Sequence, residues 1–308
     1  MSNSLKINGH EIELSNADKV IFPDENITKK DVVEYYRKIS KYMLPFVSNR
    51  PMMLHRYPNG IDGKDFYQKE EPDYFPDWIK TINVNVKKKD QDTQKFVNCD
   101  SEATLAYLAN QAVITPHIWL SKKQKLTHPD KMIYDLDPPE GEFDVVIKCA
   151  KDFKKLFDEM GLNAFLMTTG SKGLHVVLPL DGKADFDEIR QFARDAANLL
   201  ADRKPEEYTT ATLKKKREGR LFLDYLRNSY GQTTVAPYAL RARKGAPVAT
   251  PIDWNETGKK DFNSQTFRYK NIFRRLGSKK DPWNDFEKKK NNLKRARKQL
   301  DEMMEKQK

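Results

Sequence analysis

The sequence is poor in cysteine and has no long apolar run. Its two cysteines, Cys99 and Cys149, stand far apart and form no CxxC pair, which argues against a structural zinc site and against a disulfide framework. No stretch of about 18 consecutive apolar residues occurs, so no transmembrane helix and no membrane partner are expected. The N-terminus, MSNSLKINGHEIEL, is polar and mixed in charge, unlike a signal peptide. There is no internal repeat and no low-complexity linker. A cytoplasmic chain without zinc is the expectation.

The chain has 308 residues, 38% of them hydrophobic and 11% aromatic, enough for a sizeable core in one large or two smaller domains. Formal net charge is +11, an excess that favours a polyanionic partner. Part of it lies in residues 279–308, a lysine-rich segment. Charge alone does not separate nucleic acid from an acidic protein surface.

Apolar residues at helical spacing predict helices over 29–43, 102–113, 143–160 and 186–201. Thr28 and Asp31 form a capping pair for the first, and Gly161 stops the third. Strand-like runs are MMLHRY (52–57), KFVNC (95–99), MIYDLD (132–137), AFLMTT (164–169), LHVVLPL (174–180), RLFLDYL (220–226) and TTVAPYAL (233–240). From residue 132 the order is βαββαβ, a mixed sheet with helices on one face. The fold class is therefore α/β with mixed sheets. The expected organisation is one catalytic domain over 1–278, made of an N-terminal α/β module (1–131) and a second module (132–278). An exposed, charged C-terminal helix with a thin apolar stripe would follow over 279–308.

Four stretches carry candidate chemistry. In MIYDLDPPEG (132–141), Asp135 and Asp137 share one face of a strand. Their repulsion is relieved if a cation lies between them, and oxygen ligands suit magnesium or manganese. A strand ending in a polar turn fits as well. In TTGSKGLHVVLPL (168–180), Gly170-Ser171-Lys172-Gly173 turns between strands, with Thr169, Ser171 and Lys172 supplying hydroxyls and a charge and His175 a ring donor. This suits a triphosphate cradle, or an ordinary hairpin with a core histidine. In RLFLDYLRN (220–228), Asp224 sits among apolar residues, where a carboxylate is costly unless metal-bound or paired, with Arg220 and Arg227 at hand. In TTVAPYALRARKG (233–245), Arg241 and Arg243 project from one face of an extended segment and suit phosphates or a template strand. Three strand carboxylates, a Gly-Lys turn with a histidine and paired arginines together describe a two-metal phosphoryl-transfer site.

In five ordered blocks, NADKVIFP, RPMMLHRYPNG, DLDPPEG, TGSKGLH and LFLDYLRNSYGQTTVAPYALRAR, the chain resembles the polymerase domain of bacterial and archaeal ligase D. That family is the repair branch of the archaeo-eukaryotic primase superfamily. The resemblance implies a primase-polymerase fold whose RRM-like catalytic module merges with the N-terminal one. It implies two divalent cations, manganese or magnesium, on Asp135, Asp137 and Asp224. It implies triphosphate binding by Thr169, Lys172 and His175, and places His117 near the nucleotide sugar in a family that prefers ribonucleotides. It assigns Asn16, Lys19 and Lys29 to a DNA 5′-phosphate, Phe66 and Tyr67 to stacking on the template base, and Arg56 to the edge of the active site. Ser171, Gly173 and Arg241 complete the expected nucleotide contacts, and Arg243 the DNA contacts.

Departures exist. Thr169 stands where serine is usual and keeps the hydroxyl. His55 stands where lysine is common. A KxDG-type adenylation motif and a histidine cluster of a phosphoesterase are missing, so a stand-alone polymerase or an excised domain is expected. It would work near the nucleoid with Ku, a separate ligase and a separate phosphoesterase. The function implied is template-dependent gap filling and 3′ extension with NTP or dNTP in double-strand-break repair. The alternatives are a replicative-type primase, for which a 5′-phosphate pocket has no use, and a DNA-end-binding module without catalysis.

Overall fold

The computed structural model describes residues 4–88, 91–139 and 142–307. Glu140 and Gly141 of the DLDPPEG stretch lie outside the described residues. The chain forms two compact units, Met1–Gln124 with Thr233–Ala249 and Phe267–Arg275, and Lys125–Gln232 with Thr250–Thr266 and Leu276–Lys308. No helix among the described residues is long and apolar enough to cross a membrane.

The first unit is built on a six-stranded sheet. Its order is Thr233–Val235, Val113–Trp119, Pro51–Arg56, Gln91–Asn98, Thr81–Lys88, with Phe66–Gln68 also paired to Pro51–Arg56. Two helices, Lys29–Val47 and Glu102–Asn110, pack against each other. The first begins as its sequence predicts. Thr28 Oγ1 accepts the Asp31 N–H, and the Asp31 carboxylate accepts the Thr28 N–H at 2.8 Å, a reciprocal cap of the free N-terminal donors. It runs one turn beyond the predicted end and carries Pro45 in that last turn. Thr81–Lys88 had no counterpart among the sequence-predicted strands.

The second unit holds an antiparallel sheet in the order Lys131–Leu136, Leu174–Pro179, Phe165–Thr168, Thr250–Ile252. The helices Phe143–Glu159 and Phe186–Arg203 cover one face. Tyr134 points to that face. Its ring lies 4.2 Å from that of Phe153, and its hydroxyl donates to the Ala193 carbonyl. Full burial of Tyr134, Phe153, Phe157 and Phe192 contributes roughly 1.5–3 kcal/mol per side chain. Because residues alternate across a strand, Asp135 must then point to the opposite face.

Two predicted strands are shorter than their sequences suggest. Of RLFLDYL, only Leu221–Phe222 forms a strand, parallel to Tyr208–Thr209. Asp224 makes a single bridge to Asp135. Of TTVAPYAL, only Thr233–Val235 forms a strand, and the backbone turns at Tyr238 with φ +66°. The C-terminal helix Leu293–Glu305 exists, and Ala296 and Leu300 are buried. It is docked on the helix Phe186–Arg203, where Arg297 donates to Asp195 at 2.7 Å. The segment before it is stitched to the sheet. Trp283 Nε1 donates to the Leu166 carbonyl, and buried Asn291 donates to the carbonyls of Pro179 and Asn163.

Candidate active site

Strand register gathers the acidic residues of the second unit. Asp135 is paired with His175 on one side and bridged to Asp224 on the other. Directly paired residues share a face, so Asp224, Asp135 and His175 form one row across the sheet. Asp137 follows two residues on. Gly173, two residues before His175, lies beside it. A Cβ on Gly173 would stand 2.6 Å from Asp137 Oδ1 and 1.9 Å from the Leu136 carbonyl oxygen, so only glycine leaves the room that Asp137 occupies.

The bridge at Asp224 flanks the free side of Lys131–Leu136, and a side chain extends the contact. Asn228, fully buried, accepts the Ile133 N–H at 2.8 Å and donates to the Ile133 carbonyl at 2.7 Å. Its amide stands in for a strand backbone. Asp224 Oδ1 in turn accepts the Leu226 N–H at 2.8 Å, and this local turn ends the pairing.

Charges in the row oppose and compensate one another. Burial, and secondarily the negative charge of Asp135, raises the Asp224 carboxyl above its ordinary value; the Leu226 N–H and the positive charges of Arg227 and Arg217 act against this. Asp135 lies 3.2 Å from His175 Nε2 and 3.5 Å from Arg227 Nε. The donor set, oxygens of three carboxylates, suits a hard divalent cation, and the cost of placing Asp224 beside Asp135 is one that such an ion relieves. Among the described residues, no three His, Cys, Asp or Glu side chains are gathered closely enough to hold a metal as they stand. The backbone neighbours are in place, while the Asp135 carboxylate is turned to His175 and Arg227.

The turn beyond the row is organised by Thr169. Its buried hydroxyl donates to the Gly173 carbonyl and accepts the N–H groups of Ser171 and Gly173. Ser264 and Gln265 donate to the Ser171 carbonyl at 2.8 and 2.9 Å. The side chain of Lys172 is exposed at the tip.

The other predicted residues lie in the first unit. Lys29 donates through a backbone N–H to the Lys19 carbonyl at 2.8 Å, which brings the two lysines together. Lys19 Nζ donates to Asn59 and Lys29 Nζ to Ser15, both at 2.9 Å. Burial, then the charge of Lys19, lowers the Lys29 ammonium. Asn16, at φ +49°, opens the turn that carries Lys19. Phe66 and Tyr67 are 45% and 56% exposed, unusual for large apolar rings. Arg56 lies over the Phe66 ring at 5.4 Å and donates to Gln68 and Tyr74. His117 faces the edge of Tyr67 at 6.0 Å. Arg241 and Arg243 do not extend from a strand as their sequence suggests. They belong to a tight loop in which Arg241 N–H donates to Pro247 and Ala246 N–H to Arg243. The alternating pattern was misleading because Gly245 and Ala246 adopt positive φ and close a turn there. Sequence reasoning missed Asn228, Ser15, Asn59 and Tyr74, and none of the four carried a local sequence signal.

With this architecture, the chain belongs to the LigD primase-polymerase domain family, whose model matches residues 28–283. Its fold is that of the solved polymerase domain of Mycobacterium tuberculosis ligase D in complex with DNA, with a TM-score of 0.84 and 29% identity over 91% of this chain and 99% of that one. Among full-length relatives, it is 31% identical over 277 residues to the bifunctional non-homologous end joining protein LigD of Bacillus subtilis. It is 30% identical over 268 residues to the multifunctional LigD of Mycolicibacterium smegmatis. It covers 89% and 86% of its own length in these matches, but only 44% and 34% of theirs.

Proposed function

We propose that this chain is a template-dependent nucleotidyltransferase of non-homologous end joining that extends 3′ ends and fills gaps. In the reaction, the primer 3′-hydroxyl loses its proton to water and its oxygen forms a bond to the α-phosphorus of the incoming nucleotide. The bond from that phosphorus to the β-phosphate bridging oxygen breaks, releasing pyrophosphate. Asp135, Asp137 and Asp224 would hold two divalent cations, manganese or magnesium. Bound there, these ions supply Lewis-acid activation of the hydroxyl and neutralise charge on the leaving group. The observation that carries the reading is the row Asp224–Asp135–His175 with Asp137 beside Gly173.

The chain's own groups do the binding. His175 and Lys172 donate to the triphosphate, with Ser171 beside them, while Thr169 and Gly173 shape the turn that presents them. Arg227 and His175 engage the Asp135 carboxylate and orient it. His117 reads the sugar and favours a ribonucleotide, and Arg241 adds a phosphate contact. Lys19, Lys29 and Asn16 take the DNA 5′-phosphate. Arg56, Phe66, Tyr67 and Arg243 contact the template and its backbone. Ku, a separate ligase and a separate phosphoesterase are the partners this reading implies.

Primer extension on a 5′-phosphorylated gapped duplex tests it, with rNTP against dNTP and magnesium against manganese. Template-directed addition of a ribonucleotide is expected. No addition with either metal overturns the reading.

A further inference from the structure

His55 is buried, at 8% exposure, beneath the exposed ring of Tyr67. The two are cross-strand partners between Pro51–Arg56 and Phe66–Gln68. Their rings are stacked, with centroids 3.9 Å apart and planes 23° from parallel. A cross-strand pair of aromatic rings is ordinarily free to slide and tilt. This one is not, because both imidazole nitrogens are engaged. Nε2 lies 2.5 Å from Asp65 Oδ2, and Nδ1 lies 3.2 Å from the Tyr57 hydroxyl.

These partners define the protonation of the ring. The hydrogen bond from His55 holds the Asp65 carboxyl below its ordinary value, so it accepts. Burial raises the Tyr57 phenol, so it stays protonated and donates. Burial also lowers His55, and a neutral imidazole with its proton on Nε2 satisfies both neighbours at once. The ring is thereby fixed in tautomer and in plane.

Tyr67 inherits that plane. One ring face lies on His55, and its edge meets His117 at 6.0 Å. The remaining exposure, 56%, is a flat aromatic surface held at a set tilt. Such a surface suits a nucleobase, since every base has a π-face and stacking depends on parallel planes. We propose that His55, locked by Asp65 and Tyr57, is a positioning residue that sets the Tyr67 ring so that an unpaired template base completes a three-layer stack. This inference rests on the reading that Tyr67 meets the template base.

The test uses a gapped duplex carrying 2-aminopurine as the template base, whose fluorescence falls on stacking. The variants are Tyr67→Ala, His55→Gln, which keeps a donor for Asp65 and an acceptor for Tyr57 but has no ring, and Asp65→Asn, at a half-exposed carboxylate whose change leaves packing intact. Wild type should quench the probe, and Tyr67→Ala should not. His55→Gln and Asp65→Asn should each lose most of the quench and slow single-nucleotide gap filling about fivefold to tenfold, the share of a stacking contact that depends on alignment. Affinity for the 5′-phosphorylated end should stay unchanged in both. Combining His55→Gln with Tyr67→Ala should be no worse than Tyr67→Ala alone, because one residue acts through the other. Wild-type quench in both His55→Gln and Asp65→Asn, or a double variant as bad as the product of the single effects, overturns the role of His55 alone. Undiminished quench in Tyr67→Ala overturns the template-base reading, and the inference falls with it.

Discussion

The backbone N–H of Asp135 donates to the carbonyl of Asp224 at 3.1 Å, in a bridge that involves no other residue of either segment. Two acidic side chains are thus fixed as sheet neighbours by one hydrogen bond, and Asn228 holds the next rung through its side chain. A full strand would have given the same pairing with less freedom at Asp224. The reduced strand leaves its carboxylate on a turn.

The first prediction concerns these carboxylates. Asp135→Ala, Asp137→Ala and Asp224→Ala should each abolish nucleotide addition and leave duplex binding largely intact, because DNA affinity comes mainly from basic groups. Extension assays beside filter binding check this. An active Asp137→Ala protein would contradict the two-cation reading.

Asp224 also carries a stability cost. Its carboxyl is raised above the ordinary value by burial and by Asp135, so the protonated form is favoured in the fold. That contribution is fully present below the unfolded-state value and is lost as pH rises through the folded one. At neutral pH, metal-free Asp224→Asn should therefore melt a few degrees above wild type, and the gap should close on acidification. Adding manganese should raise the wild-type melting temperature and leave the variant almost unmoved. Thermal melts at several pH values with and without metal decide it.

Gly173→Ala should be disabling for a steric reason. Its Cβ would sit 1.9 Å from the Leu136 carbonyl oxygen, a backbone atom that cannot step aside. A loss of about 1–3 kcal/mol is expected from such overpacking, with activity falling further because Asp137 is displaced. Urea midpoints give the first quantity and extension rates the second.

Asn228→Ala would strip the Ile133 N–H and carbonyl of their partners in a buried place. About 2–4 kcal/mol of destabilisation is expected from two unsatisfied groups. In conditions where the variant stays folded, its kcat should drop more than its KM for nucleotide, since the residue fixes the aspartates rather than the triphosphate turn.

The Lys19→Ala/Lys29→Ala double variant should lose preference for a phosphorylated gap over a hydroxyl one. A terminal phosphate carries up to two charges and extra acceptors, and two ammonium contacts contribute about 1–2 kcal/mol, or roughly tenfold. The preference in wild type should weaken with salt. Competition between the two duplexes measures it, and Lys172→Ala, which should instead raise the KM for nucleotide, serves as the control.

Much of this was legible in the sequence, and for identifiable reasons. The four long helices and the strands Lys131–Leu136 and Leu174–Pro179 carry strong periodicity, and strand alternation alone sets Asp135 opposite to Tyr134, while Asp137 lies just past the end of its strand. Thr28 and Asp31 revealed a helix start; Asp185 and Glu188 form the same reciprocal cap and were equally readable. The segments 220–226 and 233–240 misled because their apolar content is spent on burial inside turns, with Leu223, Tyr238 and Ala239 fully covered without strand pairing. The roles of Asn228 and His55 depend on partners distant in sequence or on side-chain geometry, which no local pattern records.

The order in which the polypeptide emerges has a consequence for its biogenesis. The edge strand Thr233–Val235 closes the sheet of the first unit against Val113–Trp119, about a hundred residues of chain after its partner, a separation that slows pairing. A ribosome must therefore complete the stretch Lys125–Gln232 of the second unit before that sheet can be closed. Until then the Val113–Trp119 strand presents a bare rim on that side, the kind of unpaired edge through which partly made chains associate with one another.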